Sequence, residues 1–241
     1  MRIAVFGVGG VGGYFGGRLA NAGKDVVFIA RGEHLAAMRE HGLRVNSILG
    51  DFHLDSVNAT DDPAGVGHID AVLVAVKAWQ VPEAAETIRP MVGPETVVVP
   101  VQNGVEAATQ LAAVLGKSPV VSGLCGILSF RIGLGHIRHE GVPTPFMSFK
   151  EMDNTPSDRV ERLRRALDCD GFEVRVPGDI QAALWSKLAA VSPAGAVGAA
   201  LRVPGRIWRD VPRTRKMYED AVREVVAVAG ARGGSLDREQ L

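Results

Sequence analysis

The run Gly7-Val8-Gly9-Gly10-Val11-Gly12 directly follows the strand-like apolar residues 3–6 and opens the helix-like stretch 11–22. That order restricts the fold of the amino-terminal half more than any other feature of the chain. A strand that bends sharply into a helix needs a residue without a Cβ at the bend, which Gly7 supplies. Gly9 lets backbone N–H groups approach an anion, and Gly12 lets the helix pack close to its strand. The unpaired N–H groups of the first helical turn add positive partial charge, so Gly7, Val8, Gly9, Gly10, Val11 and Gly12 together form a cradle for a diphosphate. The plain alternative is a glycine turn with a structural role only. The flanking strand and helix favour dinucleotide binding.

Around this turn the chain alternates short apolar runs and helix-like stretches: residues 3–6, 11–22, 26–30 and 33–41 read β-α-β-α. Apolar runs return at 71–76 and 97–101, and strands apolar on both faces belong to a parallel sheet covered by helices on each side. The expected fold is therefore α/β, a Rossmann-type doubly wound sheet. Residues 45–57, with Gly50-Asp51, suit an inserted hairpin, and 120–128, 135–139 and 145–149 are strands that would extend the sheet antiparallel. An amphipathic helix over 158–168 and a last strand over 173–176 lead to Pro177-Gly178. Beyond that junction, 179–201 and 215–231 carry helical spacing, with 203–215 as a connection. The domains expected are residues 1–177, NADP-binding, and a smaller all-α domain, 178–241, for substrate and dimerisation.

Composition removes other classes. Lys plus Arg total 27 and Asp plus Glu total 27, so no global field gathers nucleic acid or anionic lipid, and any anion site must be local. Two cysteines, Cys125 and Cys169, are too few for a disulfide framework and match no zinc spacing. Cys125 reads as core, Cys169 as inert, and the expected compartment is the cytoplasm. The apolar run at the amino end is too short for a secretory signal, and the runs 71–76 and 97–101 fall well below the roughly 20 residues of a membrane span. His136 and His139, three apart in a strand, fall on opposite faces, so no shared metal is expected. Neither HExxH nor GxSxG occurs, which leaves hydrolase chemistry without a foothold.

The residue at the end of the second strand discriminates between dinucleotides. An acidic side chain there would hold a free ribose, whereas this chain has Arg31, whose guanidinium suits a 2′-phosphate. NADP is favoured, although Arg31 could be a solvated surface residue and Glu33 could take a ribose. The loops Val76-Lys77-Ala78-Trp79-Gln80 and Gln102-Asn103-Gly104 follow apolar strands at the sheet's ligand-binding end, making Lys77 and Asn103 candidates for cofactor or substrate contact. Taken alone, each is more often an ordinary loop residue. Lys187, within Leu184-Trp185-Ser186-Lys187-Leu188, would protonate a carbonyl oxygen if desolvated, yet by itself it reads better as a solvated surface lysine.

These motifs occur together, in this order, with His139 ahead of Gly141, and over about residues 1–205 the chain resembles the ketopantoate reductases. The resemblance implies NADPH-dependent reduction of 2-dehydropantoate to pantoate, a step toward pantothenate and coenzyme A. It makes Lys187 the catalytic lysine, Asn103 a residue that positions substrate and cofactor, and Lys77 a further contact; Gly7, Gly9, Gly12 and Arg31 hold the cofactor. The partner expected is a small 2-oxoacid, with neither nucleic acid nor membrane. Two departures bear on substrate. Val191 and Gly195 stand where many family members carry asparagines, and the chain stops at Leu241, its ending 237–241 unlike the family's further helices. A helical region this small should lean on the first domain or on another subunit, as in a homodimer. An NADP-binding protein without turnover and a reductase of a different 2-oxoacid are the competing readings.

Overall fold

The computed structural model describes residues 1–234 and Leu236; the ending 237–241 lies outside the described residues. As the spacing predicts, β1 (Arg2–Phe6), α1 (Gly10–Asn21), β2 (Asp25–Ile29) and α2 (Gly32–His41) alternate. A hairpin of β3 (Leu43–Ser47) and β4 (Phe52–Leu54) follows, then β5 (Asn58–Thr60), β6 (Ala71–Val74), α3 (Val81–Ile88), β7 (Val97–Pro100) and α4 (Ala107–Leu115). Strands β5-β2-β1-β6-β7 form one parallel sheet with the first strand in the middle. Because side chains alternate along a strand, each central strand supplies two cores. Ile3, Val5, Phe28 and Leu73 meet Phe15 and Leu19 of α1 on one face. Ala4, Val27, Val72 and Val98 meet Ala85 and Ile88 of α3 and Leu111 of α4 on the other. That double coverage is why these strands read as continuous apolar runs.

The later strands divide differently from expectation. They are β8 (Ser122–Gly126), β9 (Ser129–Gly133), β10 (His136–His139), β11 (Phe146–Lys150) and, after α5 (Asp158–Leu167), β12 (Glu173–Arg175). β11 lies antiparallel to β8 and parallel to β12, and Val120, just before β8, bridges Val98 of the main sheet in parallel rather than antiparallel orientation. The strand at 135–139, however, leaves that sheet. β10 pairs parallel with β3 and antiparallel with β9, making a second sheet of order β4-β3-β10-β9. Its burial alternates, Ile137 and His139 inward and Arg138 outward, so it suits a sheet with one solvated face.

Helix α1 holds these layers together. It carries Gly10, Gly12, Gly13, Gly16 and Gly17, each costing about 1 kcal/mol of helix propensity relative to Ala. Close packing offsets that cost. A Cβ on Gly16 would sit 2.7 Å from the Phe28 ring, one on Gly13 2.7 Å from Ile137, and one on Gly17 3.3 Å from Phe52. One turn further on, the buried Arg18 donates to Ser47 Oγ at 3.1 Å and Gly50 O at 3.1 Å and stacks on Phe52, fixing the β3–β4 turn to α1.

The chain forms two compact units, Met1–Gln102 with Glu106–Gly178, and Asn103–Val105 with Asp179–Leu241. The second contains α6 (Ile180–Leu201), α7 (Gly205–Trp208) and α8 (Pro212–Ala231), so the stretch 203–215 read as a connection holds a short helix and the first turn of α8. Asp179 caps α6 by accepting from Gln181 N at 2.8 Å and Ala182 N at 3.1 Å. Leu184, Ala189, Pro193 and Val197 form its buried stripe. By length and composition α6 is also long and apolar enough to cross a membrane. No unbroken apolar run marks it in the sequence, because Ser186, Lys187 and Ser192 interrupt an otherwise Ala- and Leu-rich helix.

Candidate functional site

A cavity of about 390 Å³ opens at the carboxyl ends of β1 and β2, lined by Gly7, Val8 and Gly9 on one side and Ala30 and Arg31 on another. This is the crevice where open α/β sheets bind ligands, and its size falls in the usual range of small-molecule sites. Gly7 adopts φ +96°, the left-handed region that a side chain rarely tolerates, and its N–H bonds Ile29 O at 3.1 Å. Gly9 precedes the helix in an extended conformation and supplies no side-chain cap, and a Cβ placed on it meets nothing within 4 Å. Gly12 lies behind the loop, where a Cβ would come 2.1 Å from Gly7 O. Gly10 and Val11 likewise belong to the first turn of α1 rather than to the cavity wall. Loop and helix start thus present uncapped amides to open space, an arrangement that fits a diphosphate.

Two residues at this cavity escaped the sequence reading. His34, in the first turn of α2, is buried. Gly135 N donates to its Nδ1 at 3.0 Å, so the ring hydrogen is on Nε2, which donates to Val8 O at 2.8 Å. One neutral imidazole therefore ties the glycine loop to the turn before β10. Burial holds its pKa below the ordinary value of 6.5; the bond to Val8 opposes this and the charge of Arg131 adds to it. Arg131, on β9, lines the same cavity as Arg31. Neither residue had a local signal beyond its charge, since both depend on a sheet whose pairing is not readable from sequence.

The other sequence candidates are placed as follows. Lys77 is exposed between the cavity-lining Val76 and Gln80, and its N–H bonds Gln80 Oε1 at 3.2 Å. Asn103 is exposed in the loop after β7 and belongs to the same compact unit as Lys187, which is half-buried on α6. The preceding Gln102 is buried and donates from Nε2 to Val74 O at 2.7 Å and Val76 O at 3.1 Å, locking the loop after β7 to that after β6. His139 is buried against Tyr14 and shares a hydrogen bond with Ser47 Oγ, whereas His136 faces Asn46. Cys125 is core, and burial pushes the half-buried Cys169 thiol up to about 11, which keeps it protonated and unreactive.

Comparison with known proteins agrees with this geometry. The family described as ketopantoate reductase PanE/ApbA matches residues 3–153, and its carboxyl-terminal counterpart matches 179–241. An uncharacterised oxidoreductase, YkpB, of Bacillus subtilis is 33% identical over 189 residues, covering 78% of this chain and 61% of its own. A 2-dehydropantoate 2-reductase of Nostoc is 28% identical over 240 residues, covering 98% and 74%. Among solved structures, 2-dehydropantoate 2-reductase from Geobacter metallireducens superposes with a TM-score of 0.90 at 31% identity, over 97% of this chain and 76% of that one. The chain thus spans about 61–76% of the length of these relatives.

Proposed function

This chain belongs to the ketopantoate reductase PanE/ApbA family, and from that premise we propose that it reduces the ketone of 2-dehydropantoate to the 2-hydroxy acid with NADPH. The observation that carries the cofactor half of the reading is the uncapped glycine loop opening onto a cavity that Arg31 also lines. Gly7, Val8 and Gly9 would hold the diphosphate, with Gly10, Val11 and Gly12 shaping the helix start, and Arg31 would take the 2′-phosphate. Lys77 and Asn103 are assigned to cofactor and substrate contact from the resemblance and from their loops after β6 and β7. When bound, the reduced nicotinamide supplies a hydride. The ammonium of Lys187 stabilises the negative charge that grows on the ketone oxygen and then donates a proton to it. Asn103 orients the substrate against that lysine.

The test is NADPH oxidation with 2-dehydropantoate. Wild type turns over, and Lys187→Ala with an unchanged melting temperature loses about 10²- to 10⁴-fold in kcat. Wild-type protein that binds NADPH but shows no oxidation would leave a binding protein without turnover. A second reading, reduction of a different 2-oxoacid, is favoured by Val191 and Gly195. Both are exposed on α6 one and two turns beyond Lys187, and neither offers the polar contact that many family members have there. A panel of 2-oxoacids separates the two by kcat/KM.

A further inference from the structure

The second sheet delivers a cation to the nucleotide cavity. Strand β9 crosses the start of α1 so closely that a Cβ on Gly10 would lie 2.3 Å from Ser129 O and 2.8 Å from Phe130 N. Arg131 pairs with Ile137 across the β9–β10 ladder, and directly opposed residues share a face of the sheet. Ile137 points at Gly13 of α1, so Arg131 points toward α1 as well and lines the cavity with Arg31. Phe130 and Ile132, on the other face, are exposed. Among the described residues the guanidinium of neither Arg31 nor Arg131 is engaged in an ion pair or hydrogen bond. Of the acids at this cavity, Asp61 faces Arg39 at 3.8 Å, and among the described residues neither Asp61 nor Glu83 forms an ion pair with Arg31 or Arg131.

Position decides which phosphate Arg131 serves. The diphosphate is met by the amides at the start of α1. The turn that leaves β9 is held to α2, because Gly135 N donates to Nδ1 of His34 at 3.0 Å, three residues beyond Arg31 in the first turn of α2. Arg131 lines the cavity together with His34 and Arg31, which puts it on the α2 side of the loop. We propose that Arg131 is a specificity-determining residue that forms, with Arg31, a pair of guanidiniums reading the 2′-phosphate of NADPH. This rests on the NADPH reading above and extends it to a residue outside the nucleotide-binding sheet.

Dissociation constants for NADPH and NADH, measured by quenching of protein fluorescence for wild type and Arg131→Ala, test the assignment. The loss of one charge-assisted contact should raise the NADPH constant about ten- to a hundredfold and leave the NADH constant within about twofold. Arg131 is exposed, so the fold should survive; Arg131→Gln gives the same test should the alanine variant unfold. An unchanged NADPH constant, or equal changes for both nucleotides, overturns the assignment while the NADPH reading stands. Wild-type protein that binds no NADPH overturns both.

Discussion

The glycines of the nucleotide loop make separable demands, and substituting them one at a time distinguishes packing from ligand approach. In Gly12→Ala the new Cβ would sit 2.1 Å from Gly7 O, 2.9 Å from the Ala75 Cβ and 3.1 Å from Val5. An ordinary carbon–oxygen contact is about 3.4 Å, so loop and helix must part by more than 1 Å. Overpacking of this kind costs about 1–3 kcal/mol, and at about 2–4 °C per kcal/mol for a chain of this size the melting temperature should fall by roughly 2–12 °C. Nucleotide affinity should fall with it, since Gly7 is part of the cavity wall. Gly9→Ala is the contrast. Its Cβ meets nothing within 4 Å and its φ of −83° suits alanine, so stability should hold or rise by about 0.4–1 kcal/mol through the unfolded state. The same methyl would keep phosphate oxygens off the loop amides, and losing one charged hydrogen bond costs about 1.5–3 kcal/mol, about 10- to 150-fold in affinity. Thermal melting followed by NADPH titration reads both quantities. A Gly9→Ala protein that binds NADPH like wild type would refute the loop as the diphosphate cradle, and a Gly12→Ala protein with unchanged melting would refute the packing argument.

Acid should destabilise the protein through its histidines. His34, His136 and His139 all have pKa values below the ordinary 6.5, so the unfolded chain binds more protons than the folded one and stability drops as pH falls below about 6.5. Urea midpoints at pH 7.5 and 5.5 measure this, and His34→Gln, which has no titrating ring, should shrink the difference; a midpoint that rises on acidification contradicts the sign. Arg18→Ala should cost about 2–4 kcal/mol, because it removes charged hydrogen bonds to the β3–β4 turn and a buried stem stacked on Phe52. Chemical denaturation checks it, and a loss under 1 kcal/mol would mean that the turn holds without Arg18.

Sequence alone determined the elements whose cause is local. The strand–glycine–helix order at residues 3–22 marked the nucleotide loop, and runs such as Val97-Val98-Val99 marked strands buried on both faces. Turn chemistry at Gly50-Asp51 marked the hairpin, and Asp179 capped its helix where the spacing put it. Tertiary structure decided whatever depended on which strand pairs with which. Only the pairing of β10 with β3 and β9 takes residues 136–139 out of the main sheet and brings Arg131 to the cavity. Only the approach of β9 explains why Gly10, outside the GxGxxG pattern, has no room for a side chain. Likewise His34 carries no signal in its own neighbourhood, because its partners Val8 and Gly135 lie 26 and 101 residues away. Periodicity and capping act between residues within one or two turns of each other, whereas strand pairing is selected by the burial of whole faces, a property of the assembled layers.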